Sequence, residues 1–143
     1  MQIEVWSDVV CPWCYIGKRR LDEALGGFSG GDDVTVVHRA FQLDPGAVSE
    51  GRLTVEVIAD KYGMDLAGAA AMMGNVSEVA ASVGLAYHLD ETVSGNTRDA
   101  HRLLLWAQNQ GQSANLIEVL YSGYFEFGRD IFDIDSLCDL TSE

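Results

Sequence analysis

The chain has 143 residues, 48% of them apolar, so it is long enough for one domain with its own hydrophobic core, or a small domain with an insertion. Nine basic side chains stand against 22 acidic ones, and the formal net charge of −13 argues against nucleic acid or an anionic membrane as a partner, because both select cationic patches. No apolar run reaches the length of a membrane span and no secretory signal precedes the first strand-like segment, so we expect a cytoplasmic protein.

The first segment, residues 2–8, is strand-like and leads directly to Cys11-Pro12-Trp13-Cys14. The residues that follow have helical spacing, and Pro12 suits the first helical position, where no backbone N–H is needed. Cys11 then falls at the N-cap of this helix. Two thiols one helical turn apart, directly after a strand, are typical of a redox-active dithiol.

The position of Cys11 predicts different roles for the two thiols. Free backbone N–H groups and the positive end of the helix dipole favour thiolate over thiol, so we expect a lowered pKa and a nucleophilic Cys11. Lys18, Arg19 and Arg20 add positive charge, but solvent screens most of it at that distance. Cys14 points toward the apolar face and is expected to resolve the mixed disulfide.

Half of a zinc site is the alternative interpretation of the two close cysteines. Zinc needs four ligands, and the remaining candidates are scattered along the chain with no second close pair: Cys138, His38, His88 and His101. We therefore expect no metal and no cofactor other than the Cys11–Cys14 disulfide, with glutathione as a candidate reductant. In a reducing compartment a stable structural disulfide is not expected, which favours a catalytic or sensing role.

Cys138 is left over if the first two cysteines work as a pair. It shares one side of a predicted helix with Ile134 and Leu137. That placement predicts a buried and chemically inert side chain, with a redox role as the alternative.

A second strand-like segment, residues 34–43, is β-branched and largely apolar on both faces, as in a strand buried between layers. With the first strand and its helix it predicts a right-handed βαβ unit, which Asp44-Pro45-Gly46 ends. The rest of the chain is predicted to be helical. The expected segments are 54–62 with Thr54 as its cap, 65–84 opened by Asp65, one from Asn96-Thr97 to Gly111, one through 116–127, and a last one from about Ile134.

The three histidines are weighed as bases for the thiolate. His38 lies in the second strand-like segment and His88 in a loop-like stretch, and neither is placed near the thiols by the sequence. For His101 we expect a helix-face residue bonded locally, with a catalytic role as the alternative. Asn96 or Thr97 is expected to be the N-cap of that helix.

Five segments carry a resemblance to a known family: SDVVCPWCYIG at 7–17, FQLDP at 41–45, KYG at 61–63, NTRDAH at 96–101 and YFEFGRD at 124–130. Together they resemble the DsbA family of thioredoxin-fold oxidoreductases, and in detail its cytosolic FrnE-like branch. The resemblance implies an α/β, thioredoxin-like fold of the DsbA type with an inserted helical domain. Residues 1–45 would form the N-terminal βαβ half and residues 46–143 the helical insertion.

The implied activity is thiol–disulfide exchange, as an oxidoreductase or isomerase, on protein or small-molecule thiols and disulfides. The resemblance implies Cys11 and Cys14 as catalytic residues. Its implied active-site or substrate-binding neighbours are Pro12, Trp13, Asn96 and Thr97. The runner-up family, the kappa-class glutathione transferases and hydroxychromene carboxylate isomerases, carries serine at the position corresponding to Cys11.

The resemblance also predicts what this chain lacks. In the family a β-hairpin and closing helix complete the fold and bring a cis-proline to the dithiol, but the only prolines here are Pro12 and Pro45. We therefore expect a truncated fold with an unpaired strand edge along residues 2–8. A homodimer would cover that edge, and otherwise the chain would be poorly stable alone. A non-catalytic fragment that mediates association is the third functional hypothesis.

Overall fold

The computed structural model of the chain describes residues 1–142. It opens with strand β1 (Gln2–Ser7), helix α1 (Pro12–Gly27) and strand β2 (Thr35–Ala40). The strands are parallel, with Gln2 opposite Thr35 and Ser7 opposite Ala40, so the strand, helix, strand unit predicted from the sequence is confirmed in its order and pairing.

Both strands are shorter than predicted. β1 ends at Ser7, and β2 ends at Ala40 instead of Leu43. The Phe41 N–H still donates to the Ser7 carbonyl at 3.3 Å. The Leu43 N–H donates to the Asp8 carboxylate at 2.8 Å, so by Leu43 the chain has left the strand ladder.

The remaining elements are helices, joined by turns and by a short 3-10 turn at Leu89–Glu91. They are α2 (Thr54–Tyr62), α3 (Leu66–Ala81), α4 (Arg98–Asn109), α5 (Ser113–Phe127) and α6 (Ile134–Ser142). Asp65 caps α3 as predicted, because its carboxylate accepts from the Gly68 N–H at 2.8 Å. Helix α3 nevertheless ends at Ala81, three residues before Gly84, whose φ is positive.

The predicted cap at Thr54 is wrong by one position. Leu53 is the N-cap residue of α2, and Thr54 is its first helical residue. The Thr54 hydroxyl lies 3.2 Å from the Tyr124 hydroxyl and accepts from Thr92 at 2.9 Å. A tertiary contact therefore uses the side chain that the sequence pattern assigned to the helix end.

An aromatic stack joins the dithiol helix to the helices that follow. The rings of Tyr15 and Tyr121 are 4.9 Å apart and those of Tyr87 and Phe125 are 4.8 Å apart, all four being buried. Since Tyr15 follows Cys14 directly, this stack fixes the position of α1 against α5. The proposed division into residues 1–45 and 46–143 stays a prediction, and one core spans both parts.

The prediction for Cys138 is wrong, because its side chain is exposed. Helix α6 buries Leu137 and Leu140, which lie three positions apart on one face. Cys138 is turned by about 100° from Leu137 on the helix and so faces away from the core. Ile134 is also exposed. Of the three residues predicted to share one side of the helix, Leu137 is the one that lies on the buried face.

Within residues 1–142 the sheet has two strands, so one edge of β1 has no strand partner there. That edge agrees with the expectation from the sequence, and the homodimer that would cover it stays a prediction. None of the helices in the same range is long and apolar enough to cross a membrane.

Candidate active site

The local sequence places Cys11 at the start of α1. Cys11 is the N-cap residue with extended backbone angles, φ −88° and ψ 110°, and Pro12 is the first helical residue. The Cys11 N–H donates to the Asp8 carbonyl at 3.2 Å, and the Cys14 N–H donates to the Cys11 carbonyl at 3.0 Å. Both thiols are free and partly exposed, as the predicted dithiol requires.

The two thiols differ strongly in acidity. The pKa of Cys11 is lowered to about 7, chiefly because the Cys14 thiol donates a hydrogen bond to its sulfur, with help from the backbone N–H groups of Cys14 and Trp13. The same hydrogen bond, together with burial, raises the pKa of Cys14. Cys11 is therefore the thiolate near neutral pH, and Cys14 is the proton donor beside it.

Lys18 and Arg19 of α1 contribute little to this asymmetry, because they are paired elsewhere. Lys18 Nζ lies 2.8 Å from the Asp22 carboxylate and 3.0 Å from that of Glu118, and Arg19 also binds Glu118. The sequence predicted that solvent would screen their charge. In the structure, ion pairs with α5 and within α1 neutralise it as well.

A buried carboxylate lies directly before the dithiol. Asp8 is 2% exposed, and its Oδ1 is 3.0 Å from His101 Nε2, while its Oδ2 accepts from the Leu43 N–H at 2.8 Å. Burial alone would raise the pKa of Asp8, but the hydrogen bonds from His101, the Leu43 N–H and Thr97 outweigh it and lower the pKa. Asp8 is therefore ionised at neutral pH.

The sequence suggested that His101 bonds locally, and this prediction is wrong. His101 is buried and its partner, Asp8, lies 93 residues earlier in the chain. Sequence reasoning missed Asp8 as a site residue, although it stands three positions before Cys11 within the SDVVCPWC segment. The signal available in the sequence was an acidic residue followed by apolar residues directly before the dithiol.

Asn96 and Thr97 lie at the start of α4, and both have structural contacts there. Thr97 is the N-cap residue, but the Asn96 side chain makes the capping bond, accepting from the Arg98 N–H at 3.0 Å. Asn96 Nδ2 also donates to the carbonyls of Pro45 and Ala47 at 3.0 Å. Asn96 thus ties the loop after β2 to α4, whereas the buried Thr97 donates to Asp8, the residue three positions before Cys11.

Pro12 and Trp13 occupy the first turn of α1, beside the thiols. The Pro12 carbonyl accepts from the Tyr87 hydroxyl at 2.7 Å, a contact that the sequence did not predict. Trp13 is 52% exposed, so its indole is available to solvent and to a substrate. The buried Tyr87 fixes the position of the dithiol turn from the side of the core, and Trp13 forms part of the outer surface of that turn.

The other two histidines lie apart from this site. His38 is on β2, where burial and the charge of Lys18 lower its pKa. His88 directly precedes the 3-10 turn, and its backbone N–H donates to the Phe125 carbonyl at 2.7 Å. No group of three or more His, Cys, Asp or Glu side chains within residues 1–142 has an arrangement that could hold a metal ion.

Known proteins resemble this chain in sequence and in fold. The uncharacterized protein YwbO of Bacillus subtilis is 30% identical over 78 residues, which is 46% of this chain and 37% of that protein. A crystal structure of a probable DsbA oxidoreductase from Streptomyces coelicolor is 40% identical, with a TM-score of 0.93 over 99% of this chain and 62% of that one. The chain thus spans less than two thirds of either protein.

The model of one protein family covers nearly every residue of the chain. It is the DSBA-like thioredoxin domain, and it matches residues 2–143. The match includes the dithiol, the buried Asp8 and the whole helical part. The chain belongs to the family of DSBA-like thioredoxin domains.

Proposed function

We propose that the chain exchanges disulfides through Cys11 and Cys14. The observation that carries the proposal is the opposite acidity of the two thiols, with a lowered pKa at Cys11 and a raised one at Cys14. A thiolate attacks a disulfide sulfur, and a neighbouring protonated thiol resolves the product without competing for the first attack. Membership of a family that includes oxidoreductases supports the same reaction class.

The exchange takes place in two steps. The Cys11 thiolate attacks a substrate disulfide, forms a mixed disulfide and releases the first substrate sulfur as a thiolate. Cys14 then loses its proton and attacks the Cys11 sulfur, which closes the Cys11–Cys14 disulfide and releases the second substrate sulfur. The substrate gains two electrons and the dithiol loses two. The reverse sequence oxidises a substrate dithiol, and glutathione is the reductant that we propose for the resting disulfide.

The surface around the dithiol supports a polypeptide substrate. Trp13, Phe41 and Leu43 are all large apolar residues with exposed side chains. Leu43 is tied to the dithiol segment by its bond to Asp8, so the chain just after β2 lies next to the start of α1. Exposed apolar side chains beside a reactive sulfur suit an unfolded or extended chain that carries a cysteine.

Trapping of mixed disulfides tests the proposal. In a Cys138→Ser background, Cys14→Ser should accumulate mixed disulfides with a reporter peptide disulfide, because Cys11 still attacks and nothing resolves the product. Cys11→Ser in the same background should trap little or none. Equal trapping by both variants would contradict the assignment, and glutathione binding without exchange at Cys11 would favour the transferase alternative.

A further inference from the structure

An open groove of about 420 Å³ lies between helix α4 and the segment that follows β2. We call it the arginine groove. Its lining includes three residues of that segment and three of α4, which are Phe41, Gln42, Pro45, Arg98, Arg102 and Leu105. The three residues of α4 are spaced by four and three positions, so they share one face of the helix.

The arginine groove opens at the same end of the sheet as the dithiol. Ser7 lies opposite Ala40 in the strand pair, and the Phe41 N–H donates to the Ser7 carbonyl at 3.3 Å. The groove begins at Ala40, and Cys11 follows Ser7 by four residues. Phe41 also belongs to the apolar surface beside the dithiol, so an extended chain held at Cys11 would reach the groove within a few residues, at about 3.3 Å per residue.

Hydrogen bonds between its two walls fix the shape of the groove. The Gln42 side-chain amide donates to Asn96 Oδ1 at 3.0 Å, and Asn96 Nδ2 donates to the Pro45 carbonyl at 3.0 Å. These contacts join the segment after β2 to the start of α4. A groove that is already formed binds a ligand without the cost of ordering its walls.

The charge of the groove is opposite to that of the chain. The chain has 22 acidic and nine basic side chains, yet the described residues that line the groove include two arginines and no Asp or Glu. The side chains of Arg98 and Arg102 are 73% and 72% exposed, and they share the Asp99 carboxylate at 3.9 and 2.9 Å. One carboxylate between two guanidinium groups leaves a local positive charge. Asp44 lines the neighbouring cleft, where its carboxylate accepts from the Gly46 N–H.

We propose that the arginine groove binds an acidic stretch of the polypeptide substrate, so that Arg98 and Arg102 select chains with Asp or Glu a few residues from the reacting cysteine. This inference rests on the proposed exchange function and names its substrate class. A guanidinium group binds a carboxylate through two parallel N–H groups. Phe41 and Leu105 are about half exposed and would contact the apolar parts of the same chain. Charges beyond about 8 Å are screened at physiological salt, so the arginines outweigh the distant acidic side chains.

Peptide disulfides that differ in one feature test the proposal. They carry glutamate, glutamine or lysine at positions three to five residues from the cysteine, on both sides. For the wild-type protein we expect kcat/KM to be about fivefold higher for the glutamate peptide than for the glutamine peptide, through a lower KM, as two exposed charge contacts would give. This preference should disappear at about 0.5 M salt.

Variants of the two arginines separate charge from packing. The double variant Arg98→Gln, Arg102→Gln should react equally with the glutamate and glutamine peptides, and Arg98→Glu, Arg102→Glu should prefer the lysine peptide. Both side chains are exposed, so these changes remove no core contact. Arg52→Gln is the matched control, because it removes an exposed arginine that pairs with Asp60 outside the groove, and it should keep the preference.

The results distinguish this inference from the exchange function. Equal rates of the wild-type protein with the glutamate and glutamine peptides, or an unchanged preference in the glutamine double variant, would overturn the inference. An equally large loss of rate with glutathione disulfide would overturn it too, since the groove would then bind a small anion. If the wild-type protein exchanges with no peptide, the exchange function fails. Fluorescence anisotropy with the same peptides carrying serine for cysteine then still decides whether the groove prefers acidic chains.

Discussion

Replacing Cys14 with alanine should raise the pKa of Cys11 without disturbing its position. The thiol of Cys14 is the largest single cause of the acidity of Cys11, whose pKa lies at about 7 against 9.0 for an ordinary thiol. The backbone N–H groups of Cys14 and Trp13 remain in the variant and continue to donate. We therefore expect about half of the lowering to be lost, which places the pKa of Cys11 at about 8 in Cys14→Ala.

The size of the effect on reactivity depends on pH. At pH 7 the thiolate fraction of Cys11 should fall from about one half to about one tenth. A more basic thiolate is also a better nucleophile, and the usual dependence makes the fully ionised sulfur about threefold faster. The two changes nearly cancel at pH 7, where the net loss is about twofold. A measurement at pH 7 alone would therefore miss most of the effect.

The assay is the rate of alkylation by iodoacetamide across a range of pH, in a Cys138→Ser background so that one other thiol is removed. Cys14→Ala should shift the midpoint upward and raise the plateau at high pH. Cys14→Ser, which keeps a hydroxyl donor, should fall between Cys14→Ala and the parent protein. A midpoint for Cys14→Ala equal to that of the parent would refute the argument that the Cys14 thiol stabilises the Cys11 thiolate.

Three further outcomes are expected. Limiting iodoacetamide at pH 7 should label Cys11 before the exposed Cys138, as peptide mass spectrometry will show, and the opposite order would contradict the lowered pKa. The emission of Trp13, which adjoins both thiols, should change when the disulfide is reduced, and this change should be absent from Cys11→Ser. Gly95→Ala should destabilise the fold by about 2 kcal/mol or more in urea unfolding, because the added methyl would lie 2.3 Å from the Phe132 ring; an unchanged midpoint would show that the ring moves freely.

The dithiol and its helix were predictable because their signals are local. A strand followed by Cys-Pro-Trp-Cys places Cys11 at an N-cap and Pro12 at the first helical position, and the structure has both there. Each of these preferences depends on backbone geometry within one turn, so tertiary packing has little opportunity to override it. The parallel strand pair is predictable for a similar reason, since the helix between the strands leaves few other connections.

Side chains with distant partners were not predictable in this way. The sequence offers Thr54 as a cap and His101 as a locally bonded residue, yet their partners are Tyr124 and Asp8. Both are polar groups that satisfy hydrogen bonds inside the core, where the partner is decided by which helices meet. The prediction for Cys138 was wrong for a geometric reason. A helix of nine residues can bury Leu137 and Leu140 and still expose Cys138 to solvent.

The contacts of the dithiol segment also bear on where its reactivity originates. Two side chains from beyond residue 46 hold that segment, since Tyr87 donates to the Pro12 carbonyl and His101 binds Asp8. The thiolate at Cys11 is stabilised locally by Cys14, but the charge that opposes it is fixed by a helix more than 80 residues away in the chain. The helical part therefore contributes contacts to the dithiol segment as well as packing beside it.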